Sequence, residues 1–143
     1  MYSSILVPVD LGDESLASRT FNTALDMARR YAAEVHVITV VPSYGFSIVG
    51  AGFPKDFEKS ALEGAQAALK AFLSASEAGG VTVKGHVAHG TIYDEIMKAA
   101  DTLECDLIVM ASHRPELKDY LLGPNAARVV RHARQSVFVV RES

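Results

Sequence analysis

The sequence predicts an α/β domain built on a doubly wound parallel sheet. Short apolar runs recur along the chain, at residues 5–9, 35–41, 107–111 and 137–140. The segments between them carry apolar residues at spacings of three and four, as a helix with one buried face does. The clearest runs are continuous rather than alternating, which fits strands covered on both sides. Strands alternating with helices imply parallel pairing through right-handed crossovers.

The first run is Ile5-Leu6-Val7-Pro8-Val9. Pro8 is unusual inside a strand, because it has no N–H to give a ladder, and alone it would favour an edge. Asp10 ends the run, and Leu11-Gly12-Asp13 reads as a turn. In the helix that follows, Phe21, Ala24, Leu25, Ala28, Tyr31 and Ala32 share one face, with Asp13 or Ser15 at its cap. Residues 35–41 form a second strand, rich in β-branched side chains, and Pro42 stops it. Residues 43–54 form a long connection with Gly45, Gly50 and Gly52 among apolar side chains, either a functional lid or a patch packed on the surface.

The longest helical pattern covers 55–78, with Phe57, Ala61, Leu62, Ala65, Ala68, Leu69 and Phe72 on its apolar face and Gly79-Gly80 after it. Val81, Val83 and Val87 belong to a third strand whose partial alternation suits a position near a sheet edge. Gly90 turns the chain. Thr91 with Asp94 resembles a capping box, and Ile92, Ile96, Ala99 and Leu103 face inward on the third helix. Residues 107–111 are the fourth strand, and a polar loop, 112–120, leads to Gly123-Pro124-Asn125. The fourth helix places Ala126, Val129, Val130 and Ala133 on one face, and Val137 to Val140 is the fifth strand. In the two commonest doubly wound orders the first strand adjoins the switch point, where ligands bind beyond the carboxyl ends of the strands. Asp10 and the loop after Met110 then flank one crevice.

Composition narrows the function. The 143 residues suit a single domain, 1–143, with a sizeable core, and the net charge of −3 argues against a nucleic-acid partner. One cysteine, Cys105, excludes an internal disulfide and reads as a small buried hydrophobe near a helix end. No apolar stretch approaches the about 20 residues of a membrane helix, and no secretory signal is visible, so a cytoplasmic location is expected. His36, His86, His89 and His132 show no HExxH spacing, no Gly-x-Ser-x-Gly elbow occurs, and no catalytic or metal-ligating residue is assigned.

Three places remain for ligand chemistry. Asp10, at the carboxyl end of the first strand, can accept hydrogen bonds from a ribose or a base, or can simply hold a turn. His113 and Arg114 can reach a phosphate or stay solvated. The helix opening at Pro124-Asn125 can face an anion, although Pro124 has no N–H and no Walker-type pattern accompanies it. Arg128, Arg131, His132 and Arg134 read as a solvated basic face that complements the helix dipole.

Ile-Leu-Val-Pro-Val-Asp at 5–10, His-Val-Ile-Thr-Val-Val-Pro at 36–42 and the stretch from Ala111-Ser-His-Arg-Pro through Leu-Leu-Gly-Pro-Asn-Ala to Ser-Val-Phe-Val-Val-Arg141 resemble the universal stress protein family. The likeness spans the whole chain and is greatest to the short single-domain bacterial members of the F and G type. It implies a five-stranded parallel sheet of order 3-2-1-4-5 flanked by four helices, an adenine-nucleotide alpha-hydrolase-like, Rossmann-like fold. It implies a homodimer through Val137 to Val140, and ATP, or AMP or ADP, in the crevice, with Mg2+ accompanying the nucleotide. Asp10, Val40 and Met110 match family positions at the nucleotide. The family signature Gly-x2-Gly-x9-Gly-Ser/Thr is altered: Ala111 and Arg114 stand for the first two glycines, Gly123 is kept after eight residues, and Pro124 replaces the hydroxyl. The resemblance thus implies a dimeric ATP-binding regulatory protein of the stress response, with at most slow hydrolysis. The alternative is a dimeric interaction protein whose nucleotide site has degenerated.

Overall fold

The computed structural model describes residues 1–42, 56–112 and 124–141. The strands are β1 (Ser4–Pro8), β2 (Glu34–Pro42), β3 (Val83–Gly90), β4 (Leu107–Ser112) and β5 (Ser136–Arg141). The helices are α1 (Glu14–Tyr31), α2 (Asp56–Ser74), α3 (Ile92–Thr102) and α4 (Pro124–His132). All strand pairs are parallel and the order is β3-β2-β1-β4-β5. The long connection at 43–54 lies outside the described residues.

Strand alternation divides the core in two. Ile5, Val7, Val35, Val37 and Val109 point to one side, where Phe21 and Leu25 of α1 and Leu69 of α2 cover them. Leu6, Ile38, Ile108 and Met110 point to the other, beneath Ile96 and Ala100 of α3 and Ala126 and Val129 of α4. Two covered faces explain why the strands read as continuous apolar runs.

Pro8 is accommodated for a topological reason. β1 lies at the centre of the sheet, yet its ladder with β4 pairs only Ile5 with Leu107 and Leu6 with Ile108. Pro8 is past that ladder, where β1 and β4 part, so no bond to β4 is lost. At the other end of the strands, the Asp106 carboxylate accepts the amides of Ser3 at 3.0 Å and Ser4 at 3.1 Å and the Ser3 hydroxyl at 3.2 Å. Burial pushes the Asp106 carboxyl up, but these hydrogen bonds outweigh it and hold it below its ordinary value.

The structure corrects several local expectations. Thr91 is the N-cap of α3 with extended backbone, but its side chain makes no capping bond. A carboxylate oxygen of Glu95 lies by Gly90 instead, close to where a Cβ would sit, and Asp94 and Glu95 complement the dipole in the first turn. Helix α2 is shorter than expected, and of its apolar stripe only Leu69 is fully buried; Phe57 and Ala68 are exposed, because α2 lies over the β3 edge of the sheet. Ala32 is not on the buried face of α1: it is the exposed left-handed C-cap. Val130 is 45% exposed, and Ala133 lies just beyond α4. The basic side chains of this region are partly engaged: Arg128 of α4 stacks 4.7 Å from the Tyr93 ring centroid, and Arg134, just past the helix, reaches Asp101 at 3.2 Å. Cys105 is buried as expected, with its thiol 3.4 Å from the Ser4 hydroxyl.

Candidate functional site

The parting of β1 and β4 opens a crevice of about 380 Å³ at the carboxyl end of the sheet. This lies within the usual size range of small-molecule sites. Each wall comes from a sequence feature described above. Val9 donates to the Ile38 carbonyl at 2.9 Å, which carries β1 one residue further before the chain turns. Asp10 then folds the turn on itself: its Oδ1 accepts the Gly12 amide at 2.9 Å, and its carbonyl accepts the Asp13 amide at 3.1 Å. A Cβ on Gly12 would sit 3.1 Å from Asp10 Oδ1, so this turn favours glycine. Asp13 caps α1 by accepting the Leu16 amide at 3.3 Å. Ser15 is the second residue of the helix, not its cap.

Asp10 is exposed at the crevice, and its Oδ2 makes no hydrogen bond among the described residues. A carboxylate oxygen anchored on one side and open on the other is suited to accept a hydrogen bond from a ligand N–H or O–H. Ile38 and Val40 of β2, Ile92 and Ile96 of α3, and Met110 of β4 supply an apolar wall. Ala111, Pro124 and Asn125 complete the described rim on the β4 side. Pro124 is exposed, so the first residue of α4 presents no N–H there.

Of the residues predicted from sequence, the structure therefore brings together Asp10, Val40, Met110, Ala111, Pro124 and Asn125. His113, Arg114 and Gly123 lie outside the described residues. The described lining holds two carboxylates, Asp10 and Asp13, and no Lys, Arg or His. It thus suits a flat, largely apolar ring with an N–H or O–H donor.

Sequence reasoning missed Ile38, Thr39, Ile92, Ile96 and Ser112 as lining residues. A usable signal existed, since Ile38 alternates with Val40 on β2 and Ile92 precedes Ile96 by one turn. Among the described residues the groups with clearly displaced pKa values are Glu34, His86, Cys105 and Asp106, and none of them is in the described lining. Among the described residues no cluster of His, Cys, Asp or Glu could hold a metal ion, and no helix is long and apolar enough to cross a membrane.

Comparison with known proteins gives this geometry its context. Residues 1–141 match the Universal stress protein family. Universal stress protein G of Shigella flexneri is 31% identical over 144 aligned residues, covering 99% of this chain and 100% of the relative. Among solved structures, the hypothetical protein MJ0577 superposes with a TM-score of 0.82 at 26% identity, covering 100% of this chain and 98% of the other. A universal stress protein solved in complex with cAMP shares the fold at a TM-score of 0.74 and 20% identity, with 99% of each chain covered. The altered glycine signature sits within a match that runs nearly end to end, and this chain belongs to the universal stress protein family.

Proposed function

We propose that the chain is an ATP-binding regulatory module of the stress response, working as a cytoplasmic homodimer with at most slow ATP hydrolysis. The observation that carries this reading is the crevice at the strand switch point, lined together by Asp10, whose Oδ2 has no hydrogen bond among the described residues, and by the apolar Val40 and Met110. An adenine ring fits such a wall, and its amino group or a ribose hydroxyl can donate to Asp10. Arg114 and His113 would supply charge-assisted contacts to the phosphates, with Mg2+ arriving on the nucleotide. Gly123 and Asn125 would let the start of α4 approach them. The relative solved with cAMP supports an adenine nucleotide as the ligand class.

The dimer would form through β5. This strand ends the sheet, and Phe138 on it is 42% exposed. Antiparallel pairing with a second copy about a two-fold axis would close that edge.

One observation favours the second reading, a dimeric interaction protein with a degenerate site. Pro124 stands where the family signature has Ser or Thr, removing both a hydroxyl and an N–H from the start of α4. Isothermal titration of nucleotide-free protein with ATP and Mg2+, together with sedimentation, separates the two. Saturable micromolar binding by a dimer supports the first reading, and a dimer silent to millimolar ATP supports the second. Gly123→Val should abolish the binding and leave the dimer intact, and unchanged ATP affinity in that variant would overturn the site assignment.

A further inference from the structure

His36 belongs to β2 but plays no part in the crevice. It is 4% exposed, beside Leu6 in the β1 register and on the sheet face covered by α3. Its Nε2 lies 2.9 Å from Glu34 Oε1, and its Nδ1 lies 2.9 Å from His86 Nε2 on β3. The ring centroids are 5.1 Å apart with the planes at 33°, so the rings meet end to end. A metal in line between two imidazole nitrogens would need about 4 Å between them. At 2.9 Å the gap fits a proton.

The proton count then follows from donor chemistry. Ionised Glu34 only accepts, so His36 donates Nε2–H to it and must accept at Nδ1. His86 therefore donates its Nε2–H to His36. One added proton is tolerated, because His86 can take it on Nδ1 with every bond kept, or pass its Nε2 proton to His36 beside Glu34. A second is not: both rings then carry two N–H groups, and two donors face each other across 2.9 Å.

The charged surroundings do not cancel this. Lys84 Nζ is 4.0 Å from Glu34 Oε2 and adds positive charge. Burial, then His36 and then Lys84, holds His86 below the ordinary imidazole value, and the hydrogen bond from His36 holds Glu34 below the ordinary carboxyl value. Near Glu34 the Cys105 thiol is pushed up, chiefly by burial. On α3, Asp101 is engaged by Arg134 and Gln135, Glu95 lies against Gly90, and Asp94 and Lys98 are exposed.

We infer that Glu34, His36 and His86 form a proton-operated latch that holds the edge strand β3 to β2 and releases it when both imidazoles are protonated. β3 pairs with β2 alone, from Val83 to Gly90, and the latch adds a side-chain link to that ladder near its middle. The latch is independent of the nucleotide reading.

Amide hydrogen exchange by NMR, stepped from pH 7.5 to 5.0, tests it. Protection of the β3 amides bonded to β2 should fall by up to about tenfold per pH unit below about 6.5, with β1 and β4 unaffected. In His86→Gln that dependence should vanish. Imidazole 15N shifts of the unmodified protein at pH 7.5 should show Nε2–H on both rings. PH-independent β3 protection, an unchanged pH response in His86→Gln, or a bare Nε2 on His36 would each overturn the latch.

Discussion

Asp10→Asn isolates the crevice oxygen proposed to meet the ligand. In the parent, Oδ1 is occupied by the Gly12 amide at 2.9 Å and Oδ2 has no hydrogen bond among the described residues. Asparagine can keep the acceptor toward Gly12 and present an NH2 where the second oxygen was. The turn should therefore survive, with stability changed by less than about 1 kcal/mol and the melting temperature by less than about 4 °C. For the ligand, an acceptor becomes a donor facing a donor. A hydrogen bond to a charged group contributes about 1.5–3 kcal/mol, so ATP affinity should weaken by about tenfold to a hundredfold. Calorimetric titration of the parent, Asp10→Asn and Asp10→Ala measures this, with thermal melts as the folding control. Equal dissociation constants for the parent and Asp10→Asn would assign Asp10 to the turn alone and refute the proposed contact.

Asp106→Ala removes the carboxylate that ties Ser3 and Ser4 to the start of β4. Because solvent reaches the site, a loss of about 1–2 kcal/mol is expected, or about 2–6 °C in melting temperature. The folded-state pKa of Asp106 is lowered, so its contribution is present above the ordinary carboxyl value of 3.8 and is lost as pH falls through the lower folded value. Urea midpoints of parent and variant should therefore converge in strong acid, and a constant gap down to pH 2 would contradict the assignment. Ile96 is 1% exposed and is shared by the core and the crevice wall. Ile96→Ala should destabilise by about 2–5 kcal/mol in urea unfolding, and a cost below about 1 kcal/mol would mean that α3 collapses onto the gap.

The sequence alone determined the elements and the class of fold. Continuous apolar runs and three-to-four spacings are local signals, and burial on both sheet faces writes them directly into β1, β2, β4 and α1. The cap of α1 was legible for the same reason to within Asp13 or Ser15, since capping acts within one turn, and the structure decided for Asp13. Thr91 and Asp94 had that same local pattern, yet no capping bond formed there. The backbone at Gly90 and the reach of Glu95 decide that end, and neither is visible in a four-residue motif. The strand order came from a family resemblance, because alternation of strands and helices is compatible with more than one order. Only the tertiary structure explained Pro8, which is central in the sheet but lies past the last pairing between β1 and β4. It alone added Ile92 and Ile96 to the crevice wall, since strands and helices distant in sequence meet there. It alone joined His36 to His86, fifty residues away, through a parallel register that no sequence periodicity encodes.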